Sequence, residues 1–81
     1  MTMNIISLDS FKAARKYYGS IGAMYFMLSR AKVCDQYADH LVDGISSDIG
    51  TRAIEKMKAK DLYDIVDGSL LAYQEHHSVT A

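Results

Sequence analysis

The sequence predicts an all-α fold, a small helical bundle of three to four helices that contains an antiparallel helical hairpin. The chain of 81 residues is 49% hydrophobic, contains no proline and has a net charge of −1. Apolar residues recur at steps of three and four from residue 24 to residue 45, which is the spacing of one helix face. Runs of β-branched residues are few, so strands are not expected.

Length and composition favour one domain over residues 1–81, with residues 1–7 and 78–81 expected to be flexible. Burial of apolar area stabilises a fold by about 25 cal/mol per Å², and ordering the chain costs about 1.5 kcal/mol per residue. At this size the two free energies nearly cancel. The lone cysteine, the lack of a signal-peptide pattern and the lack of a membrane-length apolar run predict a cytoplasmic protein that does not enter membranes. A second copy or a partner would add stability.

The first helix is predicted to begin at Ser7, Asp9 or Ser10, whose side-chain oxygens can accept hydrogen bonds from first-turn N–H groups. Gly19 can end this helix, because glycine readily adopts the left-handed conformation. The apolar spacing also continues backward through this segment. One long helix from Asp9 to Asp43 is therefore the alternative.

The second helix is predicted to span about residues 20–43 and to carry an unbroken apolar seam. Its positions are small or adaptable side chains that let a neighbouring helix approach closely. The seam is expected to be the intramolecular core, with a homodimer interface as the alternative, and Cys34 to be a small buried hydrophobe within it. The seam comprises Met24, Met27, Ala31, Cys34, Ala38, Leu41 and Ile45.

A turn is predicted at residues 44–51, which contain serines and two glycines. A short helix should follow as far as Lys58, and a last helix should start at Asp61. Folding the chain back near residue 47 would place the aspartates of the second helix beside the later basic residues. The aspartates are Asp35, Asp39 and Asp43, and the basic residues are Arg52, Lys56, Lys58 and Lys60.

A second apolar face lies opposite the seam, and we call it the aromatic surface: Tyr18, Gly22, Tyr25, Phe26 and Ser29. Either the first helix covers it, through Phe11 and Tyr17, or it binds a protein partner. Aromatic and arginine side chains together are typical of interface hot spots. The predicted partner-binding residues are Tyr18, Tyr25, Phe26, Arg15, Lys16 and Arg30.

The basic residues Arg52, Lys56, Lys58 and Lys60 also permit a nucleic-acid-binding interpretation. The segment from Gly44 to Ile49 has the small residues of a helix-turn-helix turn. However, His40 and Gly50 stand where that motif has an alanine and an aliphatic residue, and nearby aspartates would be repelled by a duplex. Nucleic-acid binding is therefore the alternative and not the preferred prediction.

The sequence contains no motif for catalysis, for a cofactor or for a metal. Asp35, Asp39 and Asp43 share a helix face near His40, but no recognised metal-ligand spacing is present. There is neither a phosphate-binding glycine loop nor a nucleophile motif. We expect no enzyme, no cofactor and no metal site.

The sequence therefore predicts a non-catalytic interaction protein, acting as an adaptor, inhibitor or regulator that occupies the surface of a protein partner. Phages and mobile elements often encode compact helical proteins of this kind, an association at the level of class alone. Two alternatives remain open. One is a dimeric nucleic-acid-binding transcriptional regulator, and the other is a structural protein that assembles with copies of itself.

Overall fold

The computed structural model describes residues 6–79, with side chains through residue 73. Regular structure in this range is entirely helical, so the predicted all-α class is confirmed, whereas the antiparallel direction of the hairpin stays a prediction. Residues 1–5 and 80–81, which belong to the ends predicted to be flexible, lie outside this range. None of the helices within it is long and apolar enough to cross a membrane. The helices are α1 Leu8–Arg30, α2 Asp35–Ile49, α3 Thr51–Lys56 and α4 Ala59–Val79.

Helix α1 begins with a side-chain cap and bends in its middle. The hydroxyl of Ser7 accepts a hydrogen bond from the backbone N–H of Ser10 at 3.1 Å, which satisfies one first-turn donor. Gly19 has φ 92° and ψ 173°, so it interrupts the helical backbone, and the helix resumes at once behind it. The sequence leaves open whether the first helix ends at Gly19 or continues as far as Asp43. The structure shows one helix that is kinked at Gly19 and ends at Arg30.

The chain leaves α1 through a Schellman motif, so the predicted helix over residues 20–43 is wrong. Lys32 takes a left-handed conformation with φ 62°, and its N–H donates to the carbonyl of Ser29 at 3.0 Å. The N–H of Val33 donates to the carbonyl of Leu28 at 3.1 Å. Both Val33 and Leu28 are buried, which supplies the hydrophobic contact that accompanies this motif.

The break divides the predicted seam between α1 and α2. Met24, Met27 and Ala38 are buried in the core, while Ala31, Leu41 and Ile45 are partly buried against it. Cys34 is the N-cap residue of α2 and is exposed, so the expectation of a buried thiol is wrong. The seam is not one continuous stripe, because its two halves lie on different helices.

The predicted turn at residues 44–51 is also misplaced, because α2 continues through Gly44 as far as Ile49. The chain turns at Gly50, where φ is +96° and the N–H donates to the carbonyl of Ser46 at 2.8 Å. Glycine tolerates this positive φ, whereas Gly44 is helical. The segment considered for a helix-turn-helix turn is therefore helix.

Helix α1 packs against all three other helices and lies at the centre of the fold. The short α3 ends at residue 56, two residues before the predicted position, and α4 begins at residue 59, two residues before Asp61. Helix α4 contributes core residues at steps of four, the spacing of one helix face. The largest fully buried side chains are Phe11, Met24, Met27, Leu28, Ile54, Leu62, Val66 and Leu70.

The charge pairing predicted between α2 and the later basic residues is not found among the described side chains. The described side chains instead include an ion pair within α4, in which Nζ of Lys60 lies 3.0 Å from Oδ2 of Asp64, four residues further along the helix. This hydrogen-bonded carboxylate raises the pKa of Lys60. Because the pair is local to one helix, it carries no information about how α2 and α4 are arranged.

Candidate functional site

The aromatic surface remains exposed in the folded chain. Tyr18 is 58% exposed and Tyr25 is 37% exposed, and the neighbouring Tyr17 is 82% exposed. Phe26 is partly buried against the core. The predicted cover through Phe11 and Tyr17 is therefore not formed, because Phe11 is fully buried and Tyr17 faces solvent.

The rings of this surface form a row of stacked and edge contacts. The ring centroids of Tyr17 and Tyr18 are 4.8 Å apart at an interplanar angle of 88°, and those of Tyr18 and Phe26 are 6.1 Å apart at 29°. The guanidinium carbon of Arg30 lies 5.2 Å from the Phe26 centroid. Such pairs stabilise by roughly 0.5–1.5 kcal/mol each, so these contacts favour this arrangement of the rings in the free protein.

Two glycines shape the backbone beneath the row. The bend at Gly19 brings Tyr18 over Gly22, and a Cβ placed on Gly22 would lie 2.5 Å from the Cβ of Tyr18. Real Cβ atoms do not approach so closely, so Gly22 permits this position of Tyr18. The sequence shows the two glycines, but the contact depends on the backbone bend.

Two rings of the row lie beside a shallow open groove of about 290 Å³. It is lined by Tyr18, Gly22, Tyr25, Phe26 and Ser29. These are the residues that the sequence places on one helix face. Sites for small molecules usually measure about 300–1,000 Å³ and bury most of the ligand. The groove is therefore at the lower limit of this size range and is open to solvent.

Tyr25 ties the aromatic surface to α2. Its hydroxyl donates a hydrogen bond to Oδ1 of Asp39 at 2.7 Å. That hydrogen bond raises the pKa of Tyr25, and partial burial and the charges of Asp39 and Asp43 raise it further. The phenol therefore stays protonated at neutral pH, and the contact fixes α2 beside the groove.

The three cations predicted to bind a partner, Arg15, Lys16 and Arg30, differ in their surroundings. Arg15 is used inside the fold, because its guanidinium donates to the hydroxyl of Ser20 and to the carbonyls of Ile54 and Glu55 at 2.9–3.1 Å. These carbonyls are near the C-terminal end of α3, where a cation is favourable. Lys16 and Arg30 are exposed. Arg30, over the ring of Phe26, is thus the predicted cation that the structure places at the aromatic surface, and Arg15 supports the fold.

The candidate nucleic-acid residues do not share one helix. Arg52 and Lys56 lie on α3, which has only six residues, and Lys58 lies in the connection to α4. Lys60 is on α4 and paired with Asp64. All four basic side chains are exposed, but a recognition helix normally presents its contacts from a single element.

A second concavity, the α2–α4 groove, is larger and was not predicted. It measures about 540 Å³. The only sequence signal for it is the repeat of aliphatic residues at steps of four along α2, which the sequence places in the predicted seam and turn. Its lining residues are His40, Leu41, Gly44, Ile45, Asp48, Ile49, Ile65 and Ser69.

Among the described side chains, no group of three histidine, cysteine, aspartate or glutamate residues is placed to hold a metal ion. The aspartates of α2 are exposed. Comparison with known protein families, with characterised proteins and with solved structures finds no match to this chain.

Proposed function

We propose that this protein is a non-catalytic interaction module that binds a protein partner through the aromatic surface, as an adaptor, inhibitor or regulator. The observation that supports this best is the exposed row of Tyr18, Phe26 and Arg30, held by ring contacts beside an open groove. Tyrosine and arginine at the centre of a pre-ordered patch are the residues that contribute most to protein binding. Rings that are already in place lose little conformational entropy on binding.

The position of Arg30 indicates the chemistry of the partner. Arg30 lies over the ring of Phe26 at the groove, so a partner segment with an apolar side chain for the groove and an acidic residue beside it would be complementary. We place the module in the cytoplasm, where an exposed thiol such as that of Cys34 stays reduced. A phage or mobile-element origin is part of the same proposal.

The test is capture of the partner from an extract of the organism that encodes this protein, followed by mass spectrometry. Tyr18→Ala should reduce the captured partner by about tenfold or more, since a central aromatic contact is removed. Tyr18 is largely exposed, so its truncation should leave helicity unchanged in circular dichroism. The matched control is Lys56→Glu with Lys58→Glu, which should leave capture unchanged.

Two results would contradict the proposal. Duplex DNA bound with strong salt dependence, and lost in the double lysine variant, would favour the nucleic-acid alternative. Self-association that rises with concentration in light scattering and disappears in Tyr18→Ala would favour the self-assembling alternative. In that case the aromatic surface would be an interface between copies.

A further inference from the structure

The stack of Tyr18 on Phe26 depends on the break in α1 at Gly19. In a continuous helix, residues eight apart are separated by about 12 Å along the axis, and their side chains tilt in the same direction, so their rings stay apart. The centroids of these two rings are only 6.1 Å apart. The break therefore brings Tyr18 over Gly22 and towards Phe26.

Gly19 permits this break but does not impose it. Glycine adopts positive and negative φ about equally readily, and no atom lies within 4 Å of the place where a Cβ of Gly19 would be. Contacts elsewhere therefore hold the two halves of α1 in this arrangement. The candidates are the contacts that the first half, residues 8–18, makes with the rest of the fold.

Arg15 joins the two sides of the break. It lies before the break, and its Nε donates to the hydroxyl of Ser20, directly behind the break, at 3.0 Å. Its Nη2 donates to the carbonyls of Ile54 and Glu55, near the end of α3, at 3.1 Å and 2.9 Å. Ser20 and Ile54 are both buried, so the guanidinium is tied to the packed interior.

A separate anchor holds the first half of α1 at its start. The hydroxyl of Tyr63 donates to the carbonyl of Ile6 at 2.7 Å, and the ring of Tyr63 makes an edge contact with Phe11 at 5.5 Å between centroids. Phe11 lies about two helical turns before the break. Ala14 is buried as well, but its methyl group makes no directional contact. The directional contacts at the break are thus those of Arg15.

We propose that Arg15 is a positioning residue of the aromatic surface. Its hydrogen bonds across the break and to α3 hold Tyr18 against Phe26, so the surface keeps its shape only while α1 is tied to α3. Arg15 thus affects partner binding through Tyr18 and not as a contact residue. The link to binding rests on the proposed function, whereas the position of the rings is a property of the free protein.

Nuclear Overhauser effects (NOEs) between ring protons of the free protein test the position of Tyr18. Arg15→Met removes the hydrogen-bond donors and keeps an unbranched side chain, so the NOE between Tyr18 and Phe26 should be lost. The NOE between Phe11 and Tyr63 should persist, because that anchor does not involve Arg15. Persistence of the first NOE, or loss of both, in a variant that keeps its helicity would overturn the proposal.

The matched control is Tyr63→Phe, which removes a hydrogen bond to the start of α1 and leaves the break unaltered. The NOE between Tyr18 and Phe26 should persist in this variant, and its loss would overturn the proposal. If circular dichroism shows that Arg15→Met does not fold, Ser20→Ala decides, because it removes only the hydrogen bond across the break. This variant should weaken the same NOE, and an unchanged NOE would overturn the proposal.

Capture of the partner separates this inference from the proposed function. Arg15→Met should reduce capture as much as Tyr18→Ala does, and the double variant should capture no less than Tyr18→Ala, because both changes remove the same contact. A further drop in the double variant would show a direct contribution of Arg15 and overturn the proposal. Unchanged capture by Arg15→Met with the NOE lost would refute the proposed function of the surface, while the positioning of Tyr18 by Arg15 would stand.

Discussion

Replacement of Lys32 by glycine should stabilise the protein, because Lys32 is a non-glycine residue in a left-handed backbone conformation. Its φ is 62°, and its N–H completes the Schellman motif that ends α1. An L-residue in this region costs roughly 1–2 kcal/mol. Glycine avoids that cost, although its greater freedom in the unfolded chain offsets roughly 0.5–1 kcal/mol.

The expected net gain in the free energy of unfolding is about 0.5–1 kcal/mol. For a domain of this length, that gain corresponds to a rise in Tm of roughly 2–8 °C. Thermal unfolding followed by circular dichroism measures it directly. The side chain of Lys32 is exposed, so the substitution should not disturb the core.

Lys32→Ala is the matched control, since it removes the charge and the long side chain but keeps a Cβ in the left-handed conformation. Its Tm should stay close to that of the original protein. If the glycine variant were no more stable than the alanine variant, the chain would not turn at this residue. The single helix over residues 20–43 that the sequence suggests would then be the better description.

Three further substitutions test the kink, the contact between α1 and α2, and the core. Gly19→Ala should lower the free energy of unfolding by roughly 1–3 kcal/mol, because φ is 92° at this residue. No atom lies within 4 Å of the added Cβ, so the cost comes from the backbone conformation alone. An unchanged Tm would therefore refute the kink. Tyr25→Phe should cost about 0.5–1 kcal/mol at neutral pH, as the lost hydrogen bond to Asp39 is partly exposed. Because the pKa of Tyr25 is raised in the folded state, this contribution is present below a pH of about 10 and lost as the pH rises through the folded value. A difference in Tm between the original protein and Tyr25→Phe that persists at higher pH would contradict this contribution of the hydrogen bond. Leu28→Ala should cost about 2–5 kcal/mol in urea unfolding, and a cost below about 1 kcal/mol would show that Leu28 is not in the core.

The helix boundaries show where the sequence signal was sufficient and where it was not. Ser7 is one of three candidate caps in the sequence and Gly19 is a candidate helix end, because a cap hydroxyl and a positive φ have recognisable residue preferences. The break at Lys32 has no such signal, since lysine is an ordinary helix residue. Gly44 and Gly50 look alike in the sequence, and only the second has a positive φ.

The candidate sites were predictable to different degrees. The residues of the aromatic surface lie within one helix, so their spacing alone placed them on one face. The position of Arg15 in the sequence predicts that it lies at the same surface, but its guanidinium donates to carbonyls of α3, which are 39 and 40 residues away in the chain. The α2–α4 groove joins two helices and depends on their packing, so the aliphatic repeat along α2 could not reveal it by itself.

The sequence by itself determined that this protein is helical and that Tyr18, Tyr25 and Phe26 share a face, because both properties follow from the local periodicity of one chain segment. The tertiary structure decided that the apolar seam is divided between two helices, that the thiol of Cys34 is exposed and that the α2–α4 groove exists. These features depend on the direction the chain takes after residue 31. That direction is set by a left-handed lysine and by the burial of Val33 against α1, and such long-range packing is not encoded in the spacing of residues along one helix.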